Sequence, residues 1–391
     1  MVSRMPVGLT SGSSCPKNGE IWTRIDNVGK FRQNLDMSLS GKTIPPLSID
    51  VEKIETRAVL RKEARARQAL AELKGFVTVI PNQNILTNAI VLREAKESSA
   101  IENIVTTHDE LYESMTMQSA NMDASAKEVL NYREALYMGC GVLAKRQLIS
   151  VGDIVKIQEA IVKNNAGLRK LPGTSLVNDA TGEVIYTPPQ DYEEIRLLLD
   201  DLCRYLNDDE GSLWKMAILH YQFEVIHPFY DGNGRTGRIL NILYLLLKKH
   251  LDAPILYLSA YIIKTKSTYY DLLQKVRKDG AWEEWILYIL DGIEETSRLT
   301  LEKVKAIRNL LDATLEKAKG QCPKIYSKEL VEIIFENPYS KIDILVRKLG
   351  VNRKTASKYF AELAASGFLS HRQVGKEKIF INDDLMRILA G

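Results

Sequence analysis

The residues most able to do chemistry together lie in one run, His227-Pro228-Phe229-Tyr230-Asp231-Gly232-Asn233-Gly234-Arg235-Thr236-Gly237-Arg238. Glycines such as Gly232 and Gly234 let a backbone come close to an anion and turn its N–H groups toward it, at the positive end of a helix. Arg235 and Arg238 are three apart, so they fall on neighbouring faces of a first helical turn, and their guanidinium forks suit phosphate oxygens. Asp231 is a hard oxygen ligand of the kind Mg²⁺ uses beside substrate phosphates. His227 is the one group here that takes a proton near neutral pH. A base, a metal ligand, an anion loop and two cationic clamps within twelve residues form an assembly for phosphoryl or nucleotidyl transfer.

Two plainer readings compete. Gly232-x-Gly234-x-x-Gly237 matches the dinucleotide-binding fingerprint, with Asp252 twenty residues on. That fingerprint needs a preceding strand in a βαβ unit, and the flanks here are helical. The other is a Gly-rich turn between helices with exposed arginines. A lone His on an apolar helix is usually structural, which is the expected role of His220.

The elements that must position this run are mostly helices. Residues 49–74 read as a helix rich in Ala, Leu, Arg, Lys and Glu. Further helices are expected at about 84–103, 109–117, 124–145, 151–163, 191–206 and 212–226, the last apolar nearly all round and therefore buried. Turn chemistry at Leu171-Pro172-Gly173, Asn178-Asp179 and Thr181-Gly182, then the β-favouring Val184-Ile185-Tyr186-Thr187 before Pro188-Pro189, predicts a small hairpin. Helices follow at about 235–250, 267–278, 281–296 and 297–319. After Lys319-Gly320-Gln321-Cys322-Pro323 come helices at 328–336, 341–349 and 352–365. Strands at 368–374 and 378–381, turning at Gly375-Lys376, complete a winged helix-turn-helix plan. The expected organisation is a loose tail over 1–45 and N-terminal helices over 46–123. A main helical domain over 124–300, a linking helix over 301–321 and a winged helix over 322–391 follow.

Composition bounds the class. The chain has 391 residues, 45% hydrophobic and 26% charged, as in a globular protein of two to three domains. Net charge is +3, too small for a protein that coats nucleic acid; from Lys324 onward 12 Lys/Arg face 8 Asp/Glu, so the basic end is the C-terminal one. Cys15, Cys140, Cys203 and Cys322 lie far apart without a C-x-x-C pair, against a zinc site or disulfide framework and in keeping with a reducing cytosol. No secretory signal opens the chain, Met37 offers an alternative start, and Ile239 to Leu247 is too short to span a bilayer. A cytoplasmic protein is expected.

The run from His227 to Arg238 matches, at every specified position, the Fic family signature H-P-F-x-D-G-N-G-R-x-x-R. Lys170-Leu171-Pro172-Gly173-Thr174-Ser175 and Gly182 to Pro189 resemble that family's substrate-facing hairpin, and Tyr269-Tyr270 and Trp282 to Trp285 its later helices. Over roughly residues 40–390 the chain resembles the SoFic-type bacterial protein adenylyltransferases. The resemblance implies a mainly α chain, in which a Fic-fold helical domain with a small β-hairpin flap is followed by a small winged helix-turn-helix domain. It implies AMP transfer from ATP to a Ser, Thr or Tyr hydroxyl, with release of pyrophosphate. His227 would deprotonate the hydroxyl and Asp231 would hold Mg²⁺. Gly232, Asn233 and Gly234 would cradle phosphates, Arg235 would add charge and Arg238 would clamp the γ-phosphate. Thr236, Gly237 and Tyr270 would complete the ATP site, Tyr270 beside the adenine. The flap residues Glu183, Val184, Ile185, Tyr186 and Thr187 would pair with an extended target segment by strand addition.

Ser98-Ser99-Ala100-Ile101-Glu102-Asn103 resembles the family's inhibitory helix, in which Ser98, Glu102 and Asn103 stand at the motif positions. There the Glu pairs with the last motif arginine, here Arg238, and denies it to the γ-phosphate. A solvated surface Glu is the plain alternative. Moving an equilibrium from 1:99 to 99:1 takes about 5.5 kcal/mol, more than one solvent-accessible ion pair supplies, so Glu102 is expected to mis-seat ATP rather than exclude it. Expected partners are ATP, a protein hydroxyl and the chain itself as a target, with a second copy in a homodimer and no membrane. In the winged helix Arg353, Lys354, Ser357, Lys358, Arg372, Lys376 and Lys378 would meet DNA, or the domain would dock a protein. A nucleotide-sensing transcriptional regulator, or a Fic enzyme that moves another group or removes AMP, remains the alternative.

Overall fold

A helix without a polar face has to be enclosed by other elements, and the run from Leu213 to Ile226 is one: Leu213, Met216, Ala217, Ile218, Leu219, Phe223 and Ile226 are sealed from solvent. The computed structural model describes residue 47 and residues 50–390, except 79, 81, 118–122, 178–181, 183, 375 and 376. The expected tail, Glu183, the predicted turn residues Asn178, Asp179 and Thr181, and the predicted turn Gly375-Lys376 lie outside the described residues. In chain order the elements are α1 (Val51–Ile54), α2 (Arg57–Val77), α3 (Gln83–Ile101), α4 (His108–Met117), α5 (Ala124–Arg146), α6 (Val151–Val162), β1 (Leu176–Val177), β2 (Val184–Tyr186), α7 (Tyr192–Asn207), α8 (Leu213–Ile226) and α9 (Asn233–Leu247). Then follow α10 (Ser259–Lys264), α11 (Lys266–Asp279), α12 (Trp282–Gln321), α13 (Lys328–Glu336), β3 (Tyr339–Ser340), α14 (Ile342–Leu349), α15 (Arg353–Ala365), β4 (Ser370–Val374), β5 (Glu377–Ile381) and α16 (Asp383–Ala390). The fold is mainly α, as expected. Helix α8 is wrapped by α2, α7, α9 and α12, and α5 bridges α3, α6 and α9.

Local chemistry explains where the elements differ from expectation. The single helix predicted over 49–74 is broken, because the Thr56 hydroxyl caps α2 by accepting from Val59 N at 3.2 Å. The two helices predicted to meet at 296/297 are one helix, α12, running 40 residues through the expected boundary at residue 300. No Pro or Gly falls between Ile293 and Lys319. The buried Thr296 and Thr300 hydroxyls satisfy themselves on the carbonyls four residues back, both at 2.6 Å. This helix packs on α2 and α8 and also on α13 and α16, so it joins the helices around α8 to the C-terminal elements.

The C-terminal domain is a winged helix with a third strand, in the order β3-β5-β4. Its wing is docked on its own chain. Tyr339 stacks on Tyr112 of α4 with ring centroids 5.6 Å apart, its hydroxyl donates to Asp109 at 2.5 Å, and Arg372 pairs with Glu113. Arg372, expected at a nucleic-acid surface, is therefore committed to α4. Arg353, Lys354, Ser357 and Lys358 at the start of α15 are exposed, with Arg353 held by Asp343 at 2.5 Å. A cleft of about 260 Å³ lined by Asn88, Tyr112, Arg133, Tyr339 and Arg347 lies at this junction, not at the glycine-rich run.

Tyr339→Ala should lower stability by about 3 kcal/mol through lost aromatic packing, and Tyr339→Phe by about 1 kcal/mol through the lost hydrogen bond. Urea unfolding of the full chain followed by far-UV circular dichroism reads both.

Candidate active site

Helix α8 ends at His227, whose N–H still reaches the Phe223 carbonyl at 3.1 Å while its backbone turns left-handed at φ +46°. Pro228 cannot continue the helix. A β-unbranched residue at positive φ costs energy and needs support, and Arg169 supplies it. The Arg169 N–H donates to the Pro228 carbonyl at 2.9 Å, its Nε to the His227 carbonyl at 2.7 Å and its Nη2 to the Pro189 carbonyl at 2.9 Å. Arg169 is 1% exposed and was missed in the sequence; its only signal is its place directly before Lys170-Leu171-Pro172. Burial, aided by the Arg169 charge, pushes the His227 imidazole down to about 4. Tyr230 ties the next part of the loop to the flap, its hydroxyl accepting from the Lys170 and Leu171 N–H groups at 3.1 Å each.

The glycine-rich loop is closed by one side chain. Asn233 donates to the Phe229 carbonyl at 2.8 Å and accepts from the Phe229 N–H at 2.9 Å. Its amide group is spent on loop shape, and only its backbone is left for an anion. Gly232 sits at φ +79°, where a Cβ would come within 2.9 Å of Val162. The N–H groups of Asn233, Gly234 and Arg235 open α9 and have no intrahelical acceptor. The Thr236 hydroxyl donates to the Gly232 carbonyl at 2.8 Å, and a Cβ on Gly237 would lie 2.6 Å from Glu224 and 3.0 Å from Phe223. Thr236 thus braces the loop from its first helical turn, and Gly237 lets α9 pack closely on α8.

The two motif arginines have different surroundings. Arg235 is 3% exposed, with Nη1 donating to Glu128 at 2.9 Å and Nη2 to Asp231 Oδ1 at 3.3 Å. It orients the acid more than it offers itself to a ligand. Asp231 Oδ1 also accepts from the Gly232 N–H at 2.6 Å, and its carbonyl accepts from Gln158 at 2.9 Å. Its side chain is 69% exposed, leaving the second oxygen toward solvent. Arg238, 3% exposed, donates from Nε to Ser98 Oγ at 2.7 Å and from Nη2 to the Ser98 carbonyl at 3.0 Å and Glu102 Oε1 at 2.7 Å. Gly234 makes room for this: a Cβ there would lie 2.4 Å from Glu102 Oε1 and 2.9 Å from Arg238 Nη1. Burial, the largest single influence, would raise the Glu102 carboxyl, but Arg238 with Arg235 and Lys266 together hold it below its ordinary value.

Two more carboxyls, Glu94 and Glu224, lie close enough to feel the Arg238 charge, yet burial pushes each up to about 7. Glu94 accepts from Tyr132 and Ser259, while Glu224 Oε1 has no partner among the described residues. His220 is structural as expected, bonded to Tyr269 at 3.0 Å and pushed by burial down to about 3. Tyr270 is 43% exposed and lies edge-on to Tyr269 at the surface of α11. The flap is the two-stranded β1-β2 pair. Val184, Ile185 and Thr187 are exposed, while Tyr186 is buried as an anchor, donating to the Val225 carbonyl at 2.8 Å.

Among the described residues no three His, Cys, Asp or Glu side chains cluster to hold a metal. The exposed oxygen of Asp231 beside an open helix N-terminus instead fits Mg²⁺ shared with phosphate oxygens, the usual mode for that ion.

The Fic/DOC family N-terminal model matches residues 60–141, the Fic/DOC family model residues 148–245, and the protein adenylyltransferase SoFic-like C-terminal domain residues 310–385. The chain is 23% identical over 309 residues to the protein adenylyltransferase Fic of Aedes aegypti, covering 73% of this chain and 59% of that one. It is 28% identical over 168 residues to a protein adenylyltransferase of Caenorhabditis elegans, covering 41% and 31%. The chain thus spans 31% to 59% of the length of these two relatives. The crystal structure of a Fic family protein from Desulfovibrio desulfuricans aligns with a TM-score of 0.55 at 20% identity, over 86% of this chain and 98% of that one, which establishes the shared fold.

A carboxyl with a native value near 7 keeps its proton where the unfolded chain, near 4.3, has lost it, so stability falls as pH rises through that window. Glu224→Gln should flatten part of this fall. Urea melts at steps from pH 5 to 8 check it, and an unchanged slope would remove Glu224 as a source.

Proposed function

The chain belongs to the Fic family, and on that premise we propose that it transfers AMP from ATP to a hydroxyl side chain of a protein, with Glu102 restraining the site. The observation that carries this reading is the position of Arg238: a buried cation beside an open helix N-terminus, held at 2.7 Å by a carboxylate that a phosphate would replace.

ATP supplies the electrophilic α-phosphorus and the pyrophosphate leaving group, and Mg²⁺ neutralises phosphate charge. The rest falls to this chain. Neutral His227 accepts the proton of the attacking hydroxyl as the new O–P bond forms and the bond from the α-phosphorus to the bridging oxygen breaks. With its value near 4, His227 is already unprotonated at pH 7. Negative charge from Glu102 and Asp231 raises its proton affinity, and phosphate charge acts in the same direction. Asp231, oriented by Arg235 and through it by Glu128, offers its free oxygen to the metal. The amides of Asn233, Gly234 and Arg235 face the phosphates, and Arg238 clamps the γ-phosphate once Glu102 has left it. Catalysis on this reading rests on positioning and electrostatics. Val184, Ile185 and Thr187 present an extended edge to a target segment, and Tyr270 flanks the adenine.

The docked wing favours reading the winged helix as an interaction module. The exposed Lys354, Ser357 and Lys358 keep a DNA-facing role testable by a salt-dependent probe shift.

ATP labelled at either the α- or the γ-phosphate sorts the reactions. Protein-bound label from the α-phosphate is expected, more with Glu102→Gly, and His227→Ala should cut it at least about 100-fold. Label from the γ-phosphate alone would make the enzyme a kinase, and no label would leave a nucleotide sensor. The kcat/KM for α-label transfer should fall as pH drops through about 4 and stay flat from pH 6 to 8 as far as His227 governs it.

A further inference from the structure

Helix α3 ends where its last carbonyls need partners from outside the helix. The Ser98 carbonyl accepts from Arg238, the Ser99 carbonyl from the Glu102 and Ile104 N–H groups, and the Ala100 carbonyl from the Asn103 N–H. Among the described residues the Ile101 carbonyl accepts from no backbone N–H. It accepts from Lys266 Nζ at 2.6 Å, and the same ammonium lies 3.3 Å from Asn103 Oδ1. Asn103 itself is left-handed at φ +62°, the turn that lets its side chain face the helix end. Lys266 is the first residue of α11, where a cation opposes its own helix dipole. A residue misplaced for its own helix yet matched to the end of another marks a role outside local stability. Its charge is also one of those that hold the Glu102 carboxyl below its ordinary value.

We propose that Lys266 is a positioning residue that latches the end of α3 and so seats Glu102 on Arg238. The inhibitory turn is then clamped by two cations from different elements, Arg238 of the glycine-rich motif and Lys266 of α11. Because α11 also carries Tyr269 and Tyr270, the seat of the restraint is tied to the helix at the proposed adenine side. This inference rests on the reading of Glu102 as a restraint on transfer.

The test is a cycle of four full-length proteins, wild type, Lys266→Met, Glu102→Gly and the double variant, with Lys266→Arg as the conservative control. Two readouts are taken: incorporation of α-phosphate label, and affinity for α,β-methylene-ATP with Mg²⁺. Loss of one charge-assisted bond at the latch should raise one or both about three- to tenfold in Lys266→Met. Lys266→Arg should stay near wild type. In the Glu102→Gly background the Lys266 change should do nothing, since no carboxylate remains to be seated. An unchanged Lys266→Met protein, or an equal gain with and without Glu102, would overturn the latch. A loss in both backgrounds would overturn it too, and would assign Lys266 to the nucleotide. If Glu102→Gly incorporates no α-label, the transferase reading has failed while the affinity cycle still decides the latch.

Discussion

Arg238 is a guanidinium enclosed by protein, and burying such a charge is costly unless its partners are well placed. Three carboxyls surround it, but they are not equivalent. Burial pushes Glu94 and Glu224 up to about 7, so each holds its proton part of the time at neutral pH, while Glu102 at the rim is held below its ordinary value. The counter-charge to this buried cation therefore comes mainly from Glu102, the acid hydrogen-bonded to it at the rim. Glu102 is about one-third exposed, against 3% for Arg238. Any anion that enters from solvent meets that one partner first. Neutral bonds from Ser98 stay in place meanwhile, so the cation is never left bare during an exchange.

The remaining machinery is built so that few side chains face the ligand. Asn233 locks the loop onto Phe229, Arg235 holds Asp231 and leans on Glu128, and Arg169 holds the backbone of His227 and Pro228. The open groups left over are backbone amides, one carboxylate oxygen and one imidazole. Such a site loses little side-chain freedom on binding, because the groups that would have to be ordered are already ordered.

The sequence was legible where a side chain's role follows from its own chemistry and a short spacing. The helices around α8, the winged-helix plan and the His227–Arg238 run have that character, whereas the pairing of Glu102 with the distant Arg238 is implied only by the resemblance to the Fic family. It was not legible where the role depends on who arrives from a distance. Arg169, Glu128 and Lys266 look like ordinary surface charges until the fold brings them to His227, Arg235 and Ile101. Thr236 and Gly237 lie inside the run, yet the contacts of Thr236 with the Gly232 carbonyl and of Gly237 with α8 come from the helical turn and not from the motif's spacing. Two-residue β3 has no periodicity to detect and exists only through pairing of Tyr339 with Ile381 and Ser340 with Phe380. Arg372 carried a nucleic-acid expectation from charge alone, and charge does not say whether an acid such as Glu113 is near.

The helix that would bear the proposed restraint is held along its whole length. At its start Asn82 donates to Glu336 at 3.3 Å, mid-helix Arg93 donates to the Leu389 carbonyl at 3.4 Å, and Asn88 accepts from Tyr137 at 3.0 Å. Glu94 lies buried beneath Ser259, and past the end the wing grips α4. Withdrawing α3 would break these contacts together and expose Ile85, Leu86, Val91 and Leu92, all sealed in the core. Freeing Arg238 by swinging the Glu102 carboxylate away breaks one ion pair at a partly exposed rim. Those two costs differ by many contacts. On the proposed reading, relief of the restraint is therefore a movement of the Glu102 side chain, on a helix that stays where it is.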